Sequence, residues 1–274
     1  MPITIQNSAG GGVTLDSTTS SNETLQLPSG GGTLAPLASP VFTGNVGIGV
    51  TPETWGTNGD FTGLQVGTGL SLYGRGAGDE DRVGMMGNAY HDATNDRYEY
   101  IGTGHATHYA HSDGQHVFQV APSGTADAAI SFTTAMAIDN AGRVTKPLQP
   151  SFIARGYASR PSSVVLFSSV PHNVGSHYNN SNGRFTAPIA GNYLMTWFAN
   201  AKSATHYMNW ALHINGNEYG GAYSDTNTAN YDTTGGAMVV SLAAGDYVNV
   251  FSTLSYTAPS TTTSYSFFSG YLLG

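Results

Sequence analysis

Among 274 residues there is no cysteine. Disulfide staples and thiolate metal sites are therefore excluded outright. Charged residues are scarce, at 9% of the chain, and unevenly spread. Residues 151–274 hold Arg155, Arg160, Arg184 and Lys202 against Glu218, Asp225, Asp232 and Asp246, so the formal net charge of −8 lies in residues 1–150. An acidic first part and a neutral second part give nucleic acid no basic footprint. No apolar run reaches the length of a membrane span, so no membrane insertion is expected. The opening Met1-Pro2-Ile3-Thr4-Ile5 lacks the basic stretch and apolar core of a secretory leader. That start points to a chain made in a cytosol and used elsewhere as part of something larger.

Catalytic signatures are missing too. There is no Gly-x-Ser-x-Gly elbow, no His-Glu-x-x-His, no phosphate loop and no complete Gly-x-Gly-x-x-Gly. Gly47-Ile48-Gly49 and Gly102-Thr103-Gly104 lack the third glycine and a following helix. The chain is read as a non-enzyme with no cofactor.

What the chain does have is glycine, 36 residues of it, with abundant Ser, Thr and Asn and 39% apolar residues. No long 3.6-residue apolar period survives in that background, so the expected class is all-β and turn-rich. The length suits roughly two domains.

Residues 1–50 read as an extended arm and linker. Ile3, Ile5, Val13, Leu15, Leu25 and Leu27 are scattered anchors, and two glycine triplets, Gly10–Gly12 and Gly30–Gly32, echo each other. The arm is either a flexible linker or two short β units that need a partner surface. Residues 51–146 read as a β-rich shaft or small intermediate domain. Its strand candidates are Gly63–Val66, Leu70–Tyr73, Tyr98–Ile101, His116–Val120, Ala129–Thr133 and Met136–Asp139, separated by turn signals such as Asp113-Gly114 and Asn140-Ala141-Gly142. No single core is evident there, which favours a thin, oligomeric structure. Residues 147–150, between Pro147 and Pro150, form the linker to a head at 151–274.

In the head, Met208, Trp210, Leu212 and Ile214 alternate with Asn209, Ala211 and His213, and Asn215-Gly216 is the strongest hairpin turn in the chain. Tyr193–Ala199 and Phe267–Leu273 are apolar on both faces, so Tyr193, Leu194, Trp197, Phe198, Phe267, Phe268 and Tyr271 are the candidate subunit-interface residues. Tyr219, Tyr223, Asp225, Asn227, Asn230, Tyr231 and Asp232 fill the segment before the strand expected at Ala237, with Tyr256 a second exposed candidate. Rigid rings among hydrogen-bonding side chains suit an adaptable binding loop, with aromatic faces for sugar rings.

The histidines do not form a site by spacing alone. His105, His108 and His111 stand three apart, and in a strand residues so spaced point to opposite faces. A three-fold axis could still gather one from each chain, which leaves a divalent metal on that axis open. Asp79-Glu80-Asp81 reads as a solvated acidic loop.

Two resemblances sharpen this reading. Gly183-Arg184-Phe185-Thr186-Ala187-Pro188-Ile189-Ala190-Gly191-Asn192-Tyr193 resembles the central signature of the complement-1q and tumour-necrosis-factor jelly rolls. Ser151–Arg155, Val165–Phe167, Leu212–Gly216, Ala237–Val248 and Phe267–Leu273 are similar, in order, to that family's other strands. The resemblance implies a jelly-roll β-sandwich head and a homotrimer. Thr33–Val50, with Leu37-Ala38-Ser39-Pro40-Val41-Phe42-Thr43-Gly44, resembles a segment of bacteriophage tail-fibre proteins, and Asp139–Val144 resembles the closing hairpin of phage fibre shafts. These imply a virion protein on the outside of a phage particle, made in the host cytoplasm. Residues 1–50 would attach it to another virion protein, and the trimeric head would bind a host-surface glycan or protein. The alternatives are a capsid head-fibre or decoration protein with a purely structural cap, a glycan depolymerase, and a bacterial adhesin of the same fold.

Overall fold

The computed structural model describes residues 3–6, 12–15, 42, 44–56, 61–76, 78–157, 163–201, 207–225, 232–255, 257 and 265–274. Two compact units divide the chain, Met1–Asn45 and Val46–Gly274. All regular structure in the described residues is β.

In the first unit, β1 (Ile3–Gln6) and β2 (Gly12–Leu15) form an antiparallel pair with Ile3 in register with Leu15 and Ile5 with Val13. Gly12 of the first glycine triplet opens β2. Gly10, Gly11 and the second triplet fall outside the described residues.

The second unit begins with β3 (Val46–Ile48), β4 (Thr62–Val66), β5 (Leu70–Gly74), β6 (Val83–Gly87), β7 (Ala89–Asp92), β8 (Arg97–Tyr100), β9 (Gly104–Ser112), β10 (Gln115–Gly124), β11 (Thr133–Ile138) and β12 (Val144–Thr145). Eight of these form one sheet in the order β12-β11-β10-β9-β6-β5-β4-β3, and β7-β8 is a separate hairpin. β3 pairs in parallel with β4, so the last residues of the stretch read as an arm and linker, Val46–Ile48, belong to this sheet. A core absent from the sequence reading exists here. Trp55, Tyr73, Met86, Ala89, Tyr90, Tyr100, Ala106 and Ala121 are buried together, with Phe61, Tyr98 and Phe132 against them. Glycine opposite each ring makes room: a side chain at Gly63 would meet the Trp55 indole, and one at Gly124 would meet the Tyr100 ring.

The sheet closes with the Asp139-x-x-Gly-x-Val hairpin. Asp139 Oδ1 accepts from the backbone N–H groups of Ala141 (2.9 Å) and Arg143 (3.0 Å), and Arg143 Nε donates to Oδ2 at 2.7 Å. The segment after it does not run free as a spacer. Gln149 Nε2 donates to the Leu272 carbonyl at 2.7 Å, and Leu272 N–H donates to the Pro150 carbonyl at 3.0 Å.

The head comprises β13 (Ser151–Tyr157), β14 (Ser163–Val164), β15 (Phe167–Val174), β16 (Tyr178–Asn179), β17 (Arg184–Thr186), β18 (Gly191–Ala201), β19 (Tyr207–Ile214), β20 (Asn217–Asp225), β21 (Asp232–Leu242), β22 (Tyr247–Ser252) and β23 (Phe267–Leu272). One sheet runs β15-β13-β23-β18-β21, and the other β16-β17-β22-β19-β20 with β14 beside β22. This is a jelly-roll sandwich. Its core is aromatic: Phe152 stacks on Tyr178 and on Phe185, with centroids 4.9 Å apart in both pairs, and meets Phe268 edge-on. Met208, Trp210 and Leu212 are buried as their alternation requires.

Each element of the central signature has a mechanical task. Gly183 sits at φ +71° with no room for a Cβ, which would meet the Val165 carbonyl oxygen at 2.7 Å. Phe185 enters the core stack. The Tyr193 hydroxyl donates to the Ile189 carbonyl at 2.8 Å, holding the turn that Pro188 opens.

Candidate assembly and binding surfaces

Alternation along β18 and β23 separates the proposed interface residues into two groups. Tyr193, Trp197 and Phe268 point into the sandwich and are buried in their own subunit. They are core, not interface: an eleven-residue strand of period two cannot offer all of these side chains to one face. Leu194, Phe198, Phe267 and Tyr271 point outward. Phe198 is 37% exposed and Tyr271 46%.

The outward residues line up across strands. Leu194 pairs with Tyr271 on one side and Val239 on the other, and Phe198 faces Phe267 with the rings stacked, centroids 6.1 Å apart. Between these apolar rows the Thr196 and Ser269 hydroxyls bond at 2.6 Å. That polar pair is satisfied within the sheet, so covering it leaves no orphaned group. Ile153, Leu194, Tyr271, His172 and Pro147 line a groove of about 680 Å³ on this face. Thr196, Ser269, Ile153 and Val239 belong to the surface although none stood out in the sequence; alternation from Leu194 reaches Thr196 and from Tyr271 reaches Ser269, while Ile153 and Val239 join only through strand pairing. Ser151 Oγ and His172 Nε2 stand 2.8 Å apart here. This is a hydrogen bond between β13 and β15.

The tyrosine-rich segment is also resolved differently from its reading as a long loop. β20 continues to Asp225 and β21 already starts at Asp232. Tyr219 and Tyr223 therefore stand on an edge strand, 57% and 62% exposed. Tyr223 pairs with Asn209 on the outer face, and Tyr219 lies at a bulge where the register shifts. Asp225 is exposed at the strand end. Asp232 accepts from the Ser224 hydroxyl and from the Thr233 N–H, so it ties β20 to β21 instead of facing outward. Asn227, Asn230, Tyr231 and Tyr256 lie outside the described residues.

Elsewhere on this sheet lies a feature the sequence did not suggest. His213 stacks on Phe251, centroids 4.6 Å apart and planes 14° apart, and burial pushes the imidazole below its ordinary pKa. Arg184 lies over the Tyr247 ring at 3.9 Å.

In the intermediate region the three histidines separate as a strand requires. His108 points into the core, while His105 and His111 are exposed on the opposite face. His108 Nδ1 donates to Gln119 Oε1 at 2.9 Å, which leaves Nε2 to accept from the Tyr73 hydroxyl at 2.9 Å. Desolvation lowers the pKa of His108, in keeping with that neutral tautomer. No group of three or more metal-ligating side chains gathers among the described residues. Asp79, from the acidic run, pairs with Arg75 at 2.9 Å.

Residues 152–273 match the model of the C1q domain, and this region of the chain is a C1q-type jelly roll. Complement C1q tumor necrosis factor-related protein 3 of Mus musculus is 33% identical over 107 residues, 38% of this chain and 44% of that protein. The Homo sapiens protein of the same name is 33% identical over 103 residues, 37% and 42% respectively. The chain thus spans less than half the length of these relatives. Among solved structures, the globular domain of zebrafish complement 1qA (15% identity, TM-score 0.40) covers 46% of this chain and 98% of its own. Murine APRIL (14%, 0.39) covers 46% and 99%, and Eiger TNF from S. frugiperda (16%, 0.35) covers 46% and 92%.

Proposed function

We propose that the chain is a non-enzymatic binding protein whose C1q-type head assembles as a homotrimer and presents the β20 edge to a surface ligand. One observation carries the assembly: Leu194, Phe198, Phe267, Tyr271 and Val239 form an apolar face turned outward in a single subunit. Covering such a face contributes roughly 1.5–3 kcal/mol for each large side chain buried. Three copies then repeat the Tyr219/Tyr223 surface three times, and avidity turns a weak contact with a dense receptor into firm attachment.

In the finer form of the proposal the protein is a phage fibre component. Residues 1–50 dock it on the virion, and the receptor is a host-surface glycan stacked on tyrosine rings. This form rests on the wording of residues 33–50 and of the Asp139–Val144 hairpin. Labelled full-length protein should bind host cells saturably and compete with phage adsorption. A folded trimer that binds no cells would reduce the head to a structural cap, as in a decoration protein.

A further inference from the structure

Among the described residues of its own unit, the eight-stranded sheet of the intermediate region is covered on one side only. Gln65, Ser71, Tyr73, Met86, Ala106 and His108 face the aromatic core and are buried. The opposite face carries a continuous cross-strand row. Leu64 pairs with Leu72, Leu72 with Met85, Met85 with Tyr109, Tyr109 with Phe118, and Phe118 with Met136. A flanking row runs Val66, Leu70, Gly87, Thr107, Val120, and the row on the other side runs Gly74, Val83, His111, His116, Ile138. Met85 is 47% exposed and Val120 45%, with Leu72 and Val83 close behind. Met85, Tyr109, Phe118 and Val120 line a groove of about 360 Å³.

Six adjacent strands at about 4.8 Å spacing make this face roughly 24 Å wide. Monomeric proteins seldom leave an apolar surface of that extent to water. We infer that this face is an interface in which equivalent faces of further copies of the same chain pack on one another. Three features identify the occupant. The rows contain no Asp, Glu, Lys or Arg, although the chain carries a net charge of −8, nearly all of it expected to repel a copy brought close. A face meant for a basic or acidic partner would carry complementary charge, whereas a neutral face meets its own copy without repulsion. Its polar groups are also self-sufficient: the Tyr109 hydroxyl bonds both His111 Nε2 (2.7 Å) and His116 Nδ1 (2.8 Å), so an apolar partner leaves none of these contacts broken. Finally, the head's proposed self-association brings further copies of this sheet near one another. The inference takes its copy number from that reading and nothing else.

The cysteine-free sequence permits a direct test on the full chain. Met85→Cys and, independently, Leu72→Cys each introduce a unique thiol; Glu80→Cys, on an exposed turn, is the control. Maleimide labelling of the assembled protein should be on the order of 100-fold slower at positions 85 and 72 than at 80. Control-like rates at both positions in a protein that light scattering shows to be a trimer would overturn this inference and leave the head's assembly standing. A monomer in light scattering would overturn both. Protection that appears only on adding lipid vesicles or a virion protein would assign the face to that occupant and overturn self-packing.

Discussion

Asn215 and Asp246, 31 residues apart, lock two turns of the head together. Asn215 Nδ2 donates to Asp246 Oδ1 at 2.8 Å, and Asn215 Oδ1 accepts from the Tyr247 N–H at 3.0 Å. The second carboxylate oxygen of Asp246 accepts from the Ala243 N–H at 2.7 Å. Its carbonyl accepts from the Ala187 N–H at 2.8 Å, and Gly245 N–H donates to the Ala187 carbonyl at 2.8 Å. Three motifs that are far apart in sequence, Ala-Pro, Asn-Gly and Gly-Asp, thus form a single knot at one end of the sandwich. Both Asn215 (φ +53°) and Gly216 (φ +84°) occupy the left-handed region that a two-residue hairpin turn demands.

Asn215→Ala should therefore cost more than an exposed hydrogen bond. Alanine in the left-handed region costs about 1–2 kcal/mol, and the carboxamide bridge is lost besides. Asn215→Gly keeps the backbone at ease and should cost less. Urea denaturation of the two variants checks the order; equal losses would mean that the turn conformation contributes nothing.

Inward and outward substitutions on β18 should behave oppositely. Phe198→Asp should dissociate the assembly while the subunit stays folded. Trp197→Ala removes a core ring whose Nε1 donates to the Trp210 carbonyl at 3.2 Å, and should destabilise the fold by about 3–5 kcal/mol. Light scattering combined with near-ultraviolet circular dichroism separates the two outcomes.

How much of this was legible beforehand follows from the physics of each element. Most of the head's strands, its Asn-Gly turn and its signature were readable because turn residues and alternation are local properties; β20 was not, because Asn217–Asp225 mixes glycine and polar residues with its tyrosines. The division of Tyr193, Trp197 and Phe268 from Leu194, Phe198 and Tyr271 was available from period two alone, but the run of uninterrupted apolar residues obscured it. β6, β7 and β9 went unrecognised because Val83–Gly87, Ala89–Asp92 and Gly104–Ser112 are rich in Gly, Ala and His, which carry little strand signal. Their pairing is dictated by neighbours distant in sequence. The aromatic core of the intermediate region stayed hidden for the same reason: Trp55, Tyr73 and Tyr100 meet only once the sheet has formed.

Acid should weaken both folded regions. Desolvation by burial holds His91 and His108, and in the head His213, below the ordinary value of 6.5. The unfolded chain takes up protons first as pH falls, so stability is fully present above 6.5 and lost progressively below it. Calorimetry across this range should show a falling melting temperature on the acid side. His108→Gln, which retains hydrogen-bonding capacity toward Tyr73 and Gln119, should flatten that fall; an unchanged slope would clear His108 of the effect.

Tyr219→Ala combined with Tyr223→Ala should leave stability and assembly intact, since both rings are more than half exposed on an edge strand. Cell binding should drop roughly 5- to 30-fold, the effect of losing about 1–2 kcal/mol of aromatic contact. A flow-cytometric binding curve reads this directly, and unaltered binding would move the receptor surface elsewhere on the head.

The most direct test of the account as a whole is the mass of the full-length protein in solution by multi-angle light scattering. Three chains of 28.6 kDa per particle, dissociated by Phe198→Asp, is the result expected. A stable, fully folded particle of one 28.6 kDa chain, with Phe198 and Tyr271 open to water, would contradict it.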